Sequence, residues 1–133
     1  MKQVALWDRL VDGVPAIDPD HPTIPRAERA KLVRYLNAGA VVAATTDKML
    51  DRLAGPDGED VVPMNFRTDG TWTWNDEVTY YLQTYGYAPK EPFLTYVRSL
   101  KFRPPKVSTE ELDAAIRDVF GPAPTSGIPA TGR

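Results

Sequence analysis

Cysteine is absent from the 133 residues, histidine occurs once, and no apolar run approaches the roughly 20 residues needed to span a bilayer. Without cysteine there is no disulfide framework, no thiolate zinc site and no cysteine nucleophile, a composition compatible with a reducing compartment. The single histidine, His21, lies between Asp20 and Pro22, and no Gly-x-Ser-x-Gly elbow is present, so a Ser-His catalytic pair lacks its parts. With Asp18 and Asp20 it makes a poor metal set, one imidazole and two neighbouring carboxylates on a proline-rich segment; no metal is expected, and the ring reads as solvated. A charge of one sign is lacking too. Sixteen basic against eighteen acidic side chains leave −2, too little for a global field that would draw nucleic acid or a membrane surface. No glycine-rich phosphate loop follows a strand, and the acidic stretch Asp57-Gly58-Glu59-Asp60, with Asp47 and Asp51 upstream, lacks the ligand period of an EF-hand. No cofactor is expected. The N-terminal apolar run is too short for a signal peptide, which reads as a cytoplasmic protein.

What remains is packing material. Apolar residues are 42% and aromatics 10% of a chain whose length suits one hydrophobic core. Pro15, Pro19, Pro22 and Pro25 give residues 1–24 the character of an irregular arm, anchored by Val4, Leu6, Trp7, Leu10 and Val11. Residues 25–121 read as one α+β domain, and the Pro/Gly/Ser/Thr-rich residues 122–133 as a flexible tail.

Within that domain Pro25 opens a helix that Gly39 ends in a left-handed conformation, with Leu32, Val33 and Leu36 inward. Residues 40–45, short and β-branched, suit a buried strand. Asp47 can cap a helical turn that points Met49, Leu50 and Leu53 inward. Asn75 caps a helix closed by Gly86, Glu91-Pro92 opens another, and Ser108 with Glu111 forms a capping box for a last helix, in which Leu112, Ala115, Ile116 and Val119 face the core. The expected architecture is a small antiparallel sheet, strand 40–45 plus a hairpin at 61–74, packed against three or four helices.

The hairpin register can be argued from side-chain facing. A two-residue turn at Asp69-Gly70 leaves both faces half apolar. A three-residue loop, Thr68-Asp69-Gly70, pairs Phe66 with Trp72 and Met64 with Trp74, leaving Asn65, Arg67, Thr71 and Thr73 on a polar face open to a partner. Asp69 and Asp76 flank this hairpin and allow a second reading, a small hydrolase or ligand-binding enzyme using those carboxylates. The run Arg98, Lys101, Arg103, Lys106, interleaved with Tyr96 and Phe102, has the composition of a phosphate or base site, but reads first as a solvated helix end.

The segment Thr68-Asp69-Gly70-Thr71-Trp72-Thr73-Trp74, followed by Tyr80-Tyr81 and Pro92-Phe93-Leu94, resembles small bacterial proteins that share a TDG-x-W-x-W…YY signature over about residues 32–100. Some of these are toxin-immunity-like. The resemblance implies a non-catalytic protein that binds and neutralises a cognate toxin, and it carries no catalytic residues. For a basic partner, Asp47, Asp51, Asp57, Glu59 and Asp60 are the densest supply of acidic contacts, joined by Asn65, Arg67, Thr71 and Thr73. A third reading, a structural component of a bacterial or phage assembly, fits the proline-rich ends.

Overall fold

Twelve short elements make up the computed structural model, which describes residues 1–55 and 58–121. In chain order these are β1 (Lys2–Gln3), β2 (Arg9–Val11), β3 (Val14–Ala16), α1 (Arg26–Asn37), β4 (Ala40–Ala43), β5 (Lys48–Leu50), β6 (Asp60–Pro63), β7 (Phe66–Thr68), β8 (Trp72–Asn75), α2 (Asp76–Tyr85), α3 (Phe93–Ser99) and α4 (Thr109–Phe120). The chain is α+β. A four-stranded sheet runs β1-β8-β7-β4, with β1 parallel to β8 and the other pairs antiparallel, while β2-β3 and β5-β6 are separate two-stranded ribbons.

Local signals set the helix ends. Asn75 accepts the Glu77 amide at 2.8 Å, and Gly86 closes α2 at φ 82°. In α4 both bonds of the capping box form, Glu111 N to Ser108 Oγ at 3.1 Å and Ser108 N to Glu111 Oε1 at 2.9 Å. Ala115 of that helix is buried, but Ile116 is exposed, contrary to the core position expected for it.

The hairpin adopts neither register considered from sequence. Phe66 pairs with Asn75, Arg67 with Trp74 and Thr68 with Thr73, so the loop is Asp69–Trp72. Side-chain bonds select it. Asp69 Oδ1 accepts from the amides of Thr71 and Trp72 at 2.9 and 2.8 Å, Thr68 Oγ1 donates to Trp72 O at 2.8 Å, and Gly70 sits at φ 98°. Directly opposed residues share a face, so Trp72, Trp74 and Arg67 stand on one side of the sheet, with Phe66, Thr68 and Thr73 on the other. The polar face expected for Asn65, Arg67, Thr71 and Thr73 therefore does not exist: Thr73 is buried, Thr71 is in the loop, and Arg67 lies on the tryptophan side.

The main core lies where that tryptophan side meets α1 and α3. Phe93 is edge-on or tilted to both indoles at centroid separations of 5.3 and 5.8 Å, and Tyr35 lies 6.3 Å from Trp74. Gly39 follows from this contact, not from the left-handed cap expected of it. A Cβ there would stand 2.5 Å from Trp74 Cζ2 and 3.1 Å from Arg67 Cβ. Substituting Gly39→Ala is expected to destabilise the protein by about 1–3 kcal/mol through overpacking, read as a lower urea midpoint with an unchanged m-value.

Three further segments differ from expectation. The strand expected to be buried at 40–45 is β4 at the edge of the sheet, paired on one side only, with Val41 47% exposed. Residues 1–24 carry three strands: β1 extends the sheet, Leu6 and Ile24 join the core, and Val4 and Trp7 pack against it, whereas Leu10 and Val11 are exposed on the β2-β3 ribbon. The stretch after Asp47 is strand β5 and not a helical turn, because β6 supplies a partner along Lys48–Leu50; Met49 and Leu50 are exposed and only Leu53 packs against the core. The expected flexible tail, residues 122–133, lies outside the described residues.

Candidate functional site

The nine residues singled out for partner binding divide into those spent on the fold and those left at the surface. Arg67 belongs to the first group. Its Nε donates to Asp76 Oδ1 at 2.9 Å, and its Nη1 donates to the carbonyls of Asn37 and Gly39, both at 3.1 Å. Asn65 accepts from the Thr45 amide at 2.8 Å and donates to Asp76 Oδ2 at 3.1 Å. Together these side chains bind the end of α1, the β4 region and the start of α2 into one junction.

Asp51 is 3% exposed and accepts from the hydroxyls of Tyr80 and Tyr85, both at 2.7 Å, and from the Leu53 amide at 2.8 Å. Tyr81 completes this anchor by accepting from the Arg52 amide at 2.9 Å. Burial raises the Asp51 carboxyl pKa, but the two tyrosine hydroxyls and the backbone amides outweigh it, and the net shift is downward. The Tyr80-Tyr81 pair thus holds the Asp51 turn against α2.

The carboxylates of the enzyme reading are equally engaged. Asp69 Oδ2 accepts from Tyr35 Oη at 2.6 Å while Oδ1 holds the loop, and Asp76 is the partner of Arg67 and Asn65. His21 is buried, contrary to the solvated ring expected. Its Nδ1 lies 2.8 Å from Asp8 Oδ2 and its Nε2 2.7 Å from the Ala88 carbonyl, an acceptor only, so Nε2 carries a proton. Lys90 and the Asp18 amide also bond Asp8, and with His21 they hold its carboxyl well below the usual carboxylate range. The network ties the N-terminal segment to residues 88–90, and neither ring nitrogen is free for catalysis. A histidine between Asp20 and Pro22 in a proline-rich segment offered no local signal of these partners.

Left at the surface are Asp47, Glu59 and Asp60, all exposed, and Thr71; Asp57 lies outside the described residues. The three acids make no ion pair among the described residues and outnumber Lys48 and Arg52 of the same region. They frame the β5-β6 ribbon, where Met49, Leu50 and Val61 are 42%, 38% and 38% exposed. Beneath them Val62 is buried in the core, and the tyrosines of α2 grip Asp51, so the ribbon is an anchored platform. Met49 is opposed to the buried Val62 and shares its face, so the outer face of the ribbon carries Leu50 and Val61 beside the acids, an apolar centre with a charged rim of the kind found in protein-binding patches.

Among the described residues no group of three or more His, Cys, Asp or Glu could hold a metal ion, and no helix is long and apolar enough to cross a membrane. Comparison with protein-family models, curated proteins and solved structures finds no match.

Proposed function

We propose that the chain is a non-catalytic protein-binding domain that presents the β5-β6 ribbon to a partner protein carrying a basic patch, as an immunity-like protein would to its toxin. The observation that carries this reading is the exposed apolar pair Leu50 and Val61 on the outer face of the ribbon, beside Asp47, Glu59 and Asp60, which make no ion pair among the described residues, with the ribbon fixed from below by Val62 and the Asp51 anchor. Burying the pair supplies affinity, while the acids steer encounter and make association salt-dependent.

The test uses a partner retained by the immobilised wild-type protein. L50A/V61A is expected to weaken its binding by at least ~10-fold with an unchanged melting curve, as truncation of apolar anchors does. D47N/E59Q/D60N should flatten the salt dependence of the on-rate. Unchanged affinity in both variants overturns the proposal. The exposed Leu10, Val11 and Val14 of the β2-β3 ribbon favour a second reading, a component of a larger assembly. That reading requires the isolated chain to self-associate in sedimentation and L10D/V11D to abolish it.

A further inference from the structure

A second surface has the opposite chemistry. Lys31 and Arg34 of α1, Arg98 of α3, and Lys101, Phe102 and Arg103 just beyond α3 line one open cleft of ≈ 590 Å³. Five cations thus converge in a chain whose net charge is −2, and no carboxylate lines the cleft. Glu28 pairs with Arg98 through a two-pronged contact at 2.6 and 3.0 Å, and its charge also acts on Lys31. Lys31, Arg34, Lys101 and Arg103 make no ion pair or hydrogen bond from their side chains among the described residues.

Helix dipoles explain part of this cluster, since Arg34 and Arg98 lie in the last turns of their helices. They do not explain Lys31 in the middle of α1, or Arg103 beyond the end of α3. The turn that delivers the last three lining residues is itself unusual. Lys101 N bonds Arg98 O at 2.9 Å and Phe102 N bonds Val97 O at 3.1 Å, the helix-ending pattern in which glycine ordinarily takes the left-handed position. Here that position is Lys101 at φ 53°, followed by Phe102 at φ 58°. A lysine there sacrifices backbone comfort for a cation on the cleft wall.

We propose that this cleft is a binding site for a small oligophosphate anion of nucleotide size. Its volume falls in the range of small-ligand sites, and the guanidinium groups of Arg34 and Arg103, which Glu28 does not engage, offer paired N–H donors that match phosphate oxygens. Converging cations in a concave wall focus the field on a ligand of high charge density. Phe102 supplies an apolar wall, which a base would contact and a bare oligophosphate would not.

The experiment is calorimetric titration of the full chain with inorganic triphosphate and, separately, with a nucleoside triphosphate at low salt. Saturable one-to-one binding of both is expected, weakening as salt rises. Tighter binding of the nucleotide assigns the ligand as a nucleotide, and equal binding assigns the phosphate chain alone. R34Q/R103Q should weaken both by about tenfold or more. K101G should raise the melting temperature by roughly 3 °C by relieving the left-handed lysine, yet bind more weakly. The proposal is overturned if neither probe binds, or if R26Q/K48Q/R117Q, which removes three cations elsewhere, weakens binding as much as R34Q/R103Q. It is also overturned if a short single-stranded oligonucleotide binds and triphosphate fails to displace it.

Discussion

Replacing Arg67 by alanine is expected to destabilise the fold by about 3–5 kcal/mol, the range found when one partner of a buried ion pair is removed. Asp76 would remain with a side chain only 8% exposed and only the Asn65 amide as partner, and the carbonyls of Asn37 and Gly39 would lose a shared charged donor. Against a total stability of about 5–15 kcal/mol for a domain of this kind, such a loss brings the protein close to unfolding at 37 °C. The check is a double-mutant cycle by urea denaturation over R67A, D76A and the pair. The double variant should be less unstable than the two single losses summed, because each single change strands a charge that the double change removes. Additive losses would mean that the ion pair is not what joins α1, the hairpin and α2.

That junction also shows why the polar residues of the hairpin look like a recognition face from sequence. Alternation of Met64, Phe66, Trp72 and Trp74 with polar neighbours is consistent with a half-solvated sheet, and nothing local says that Arg67 reaches back to the end of α1. The four-residue loop is held by Asp69 and Thr68 side-chain bonds to the loop backbone, which a facing argument does not weigh, and Tyr35 of α1 takes the second Asp69 oxygen. By contrast the Ser108–Glu111 box and the Asn75 cap were legible, because both partners of each bond lie within three residues. The β5 strand was not legible: Met49, Leu50 and Leu53 fit a helical face until β6 offers a ladder.

The surface divides in the same way. Asp47, Glu59 and Asp60 were readable as an acidic supply, but Asp51, of identical type, is taken by tyrosines of α2. The basic cleft was half visible, in Arg98, Lys101 and Arg103. Lys31 and Arg34, which turn a charged helix end into a concave site, come from a different helix.

Asp51 supplies the second large effect and separates fold from interface within the acidic group. D51A removes the acceptor of two tyrosine hydroxyls and the Leu53 amide, and is expected to cost about 3 kcal/mol, since hydrogen bonds to a charged group contribute about 1.5–3 kcal/mol each and the tyrosine hydroxyls partly recover water. D47N, at an exposed carboxylate, should leave the melting temperature unchanged. The pH dependence carries the sign. Because the folded Asp51 carboxyl lies below its unfolded value of about 3.9, its stabilisation is fully present above that pH and is lost as the pH falls through the folded value. Asp8, depressed by Lys90, the Asp18 amide and His21, behaves the same way. The wild-type protein should therefore lose stability steeply on acidification below about pH 4, and D51A should flatten that descent while starting lower. Urea midpoints measured from pH 7 down to pH 2 decide it: parallel profiles for the two proteins would show that Asp51 is not held as a buried, hydrogen-bonded carboxylate.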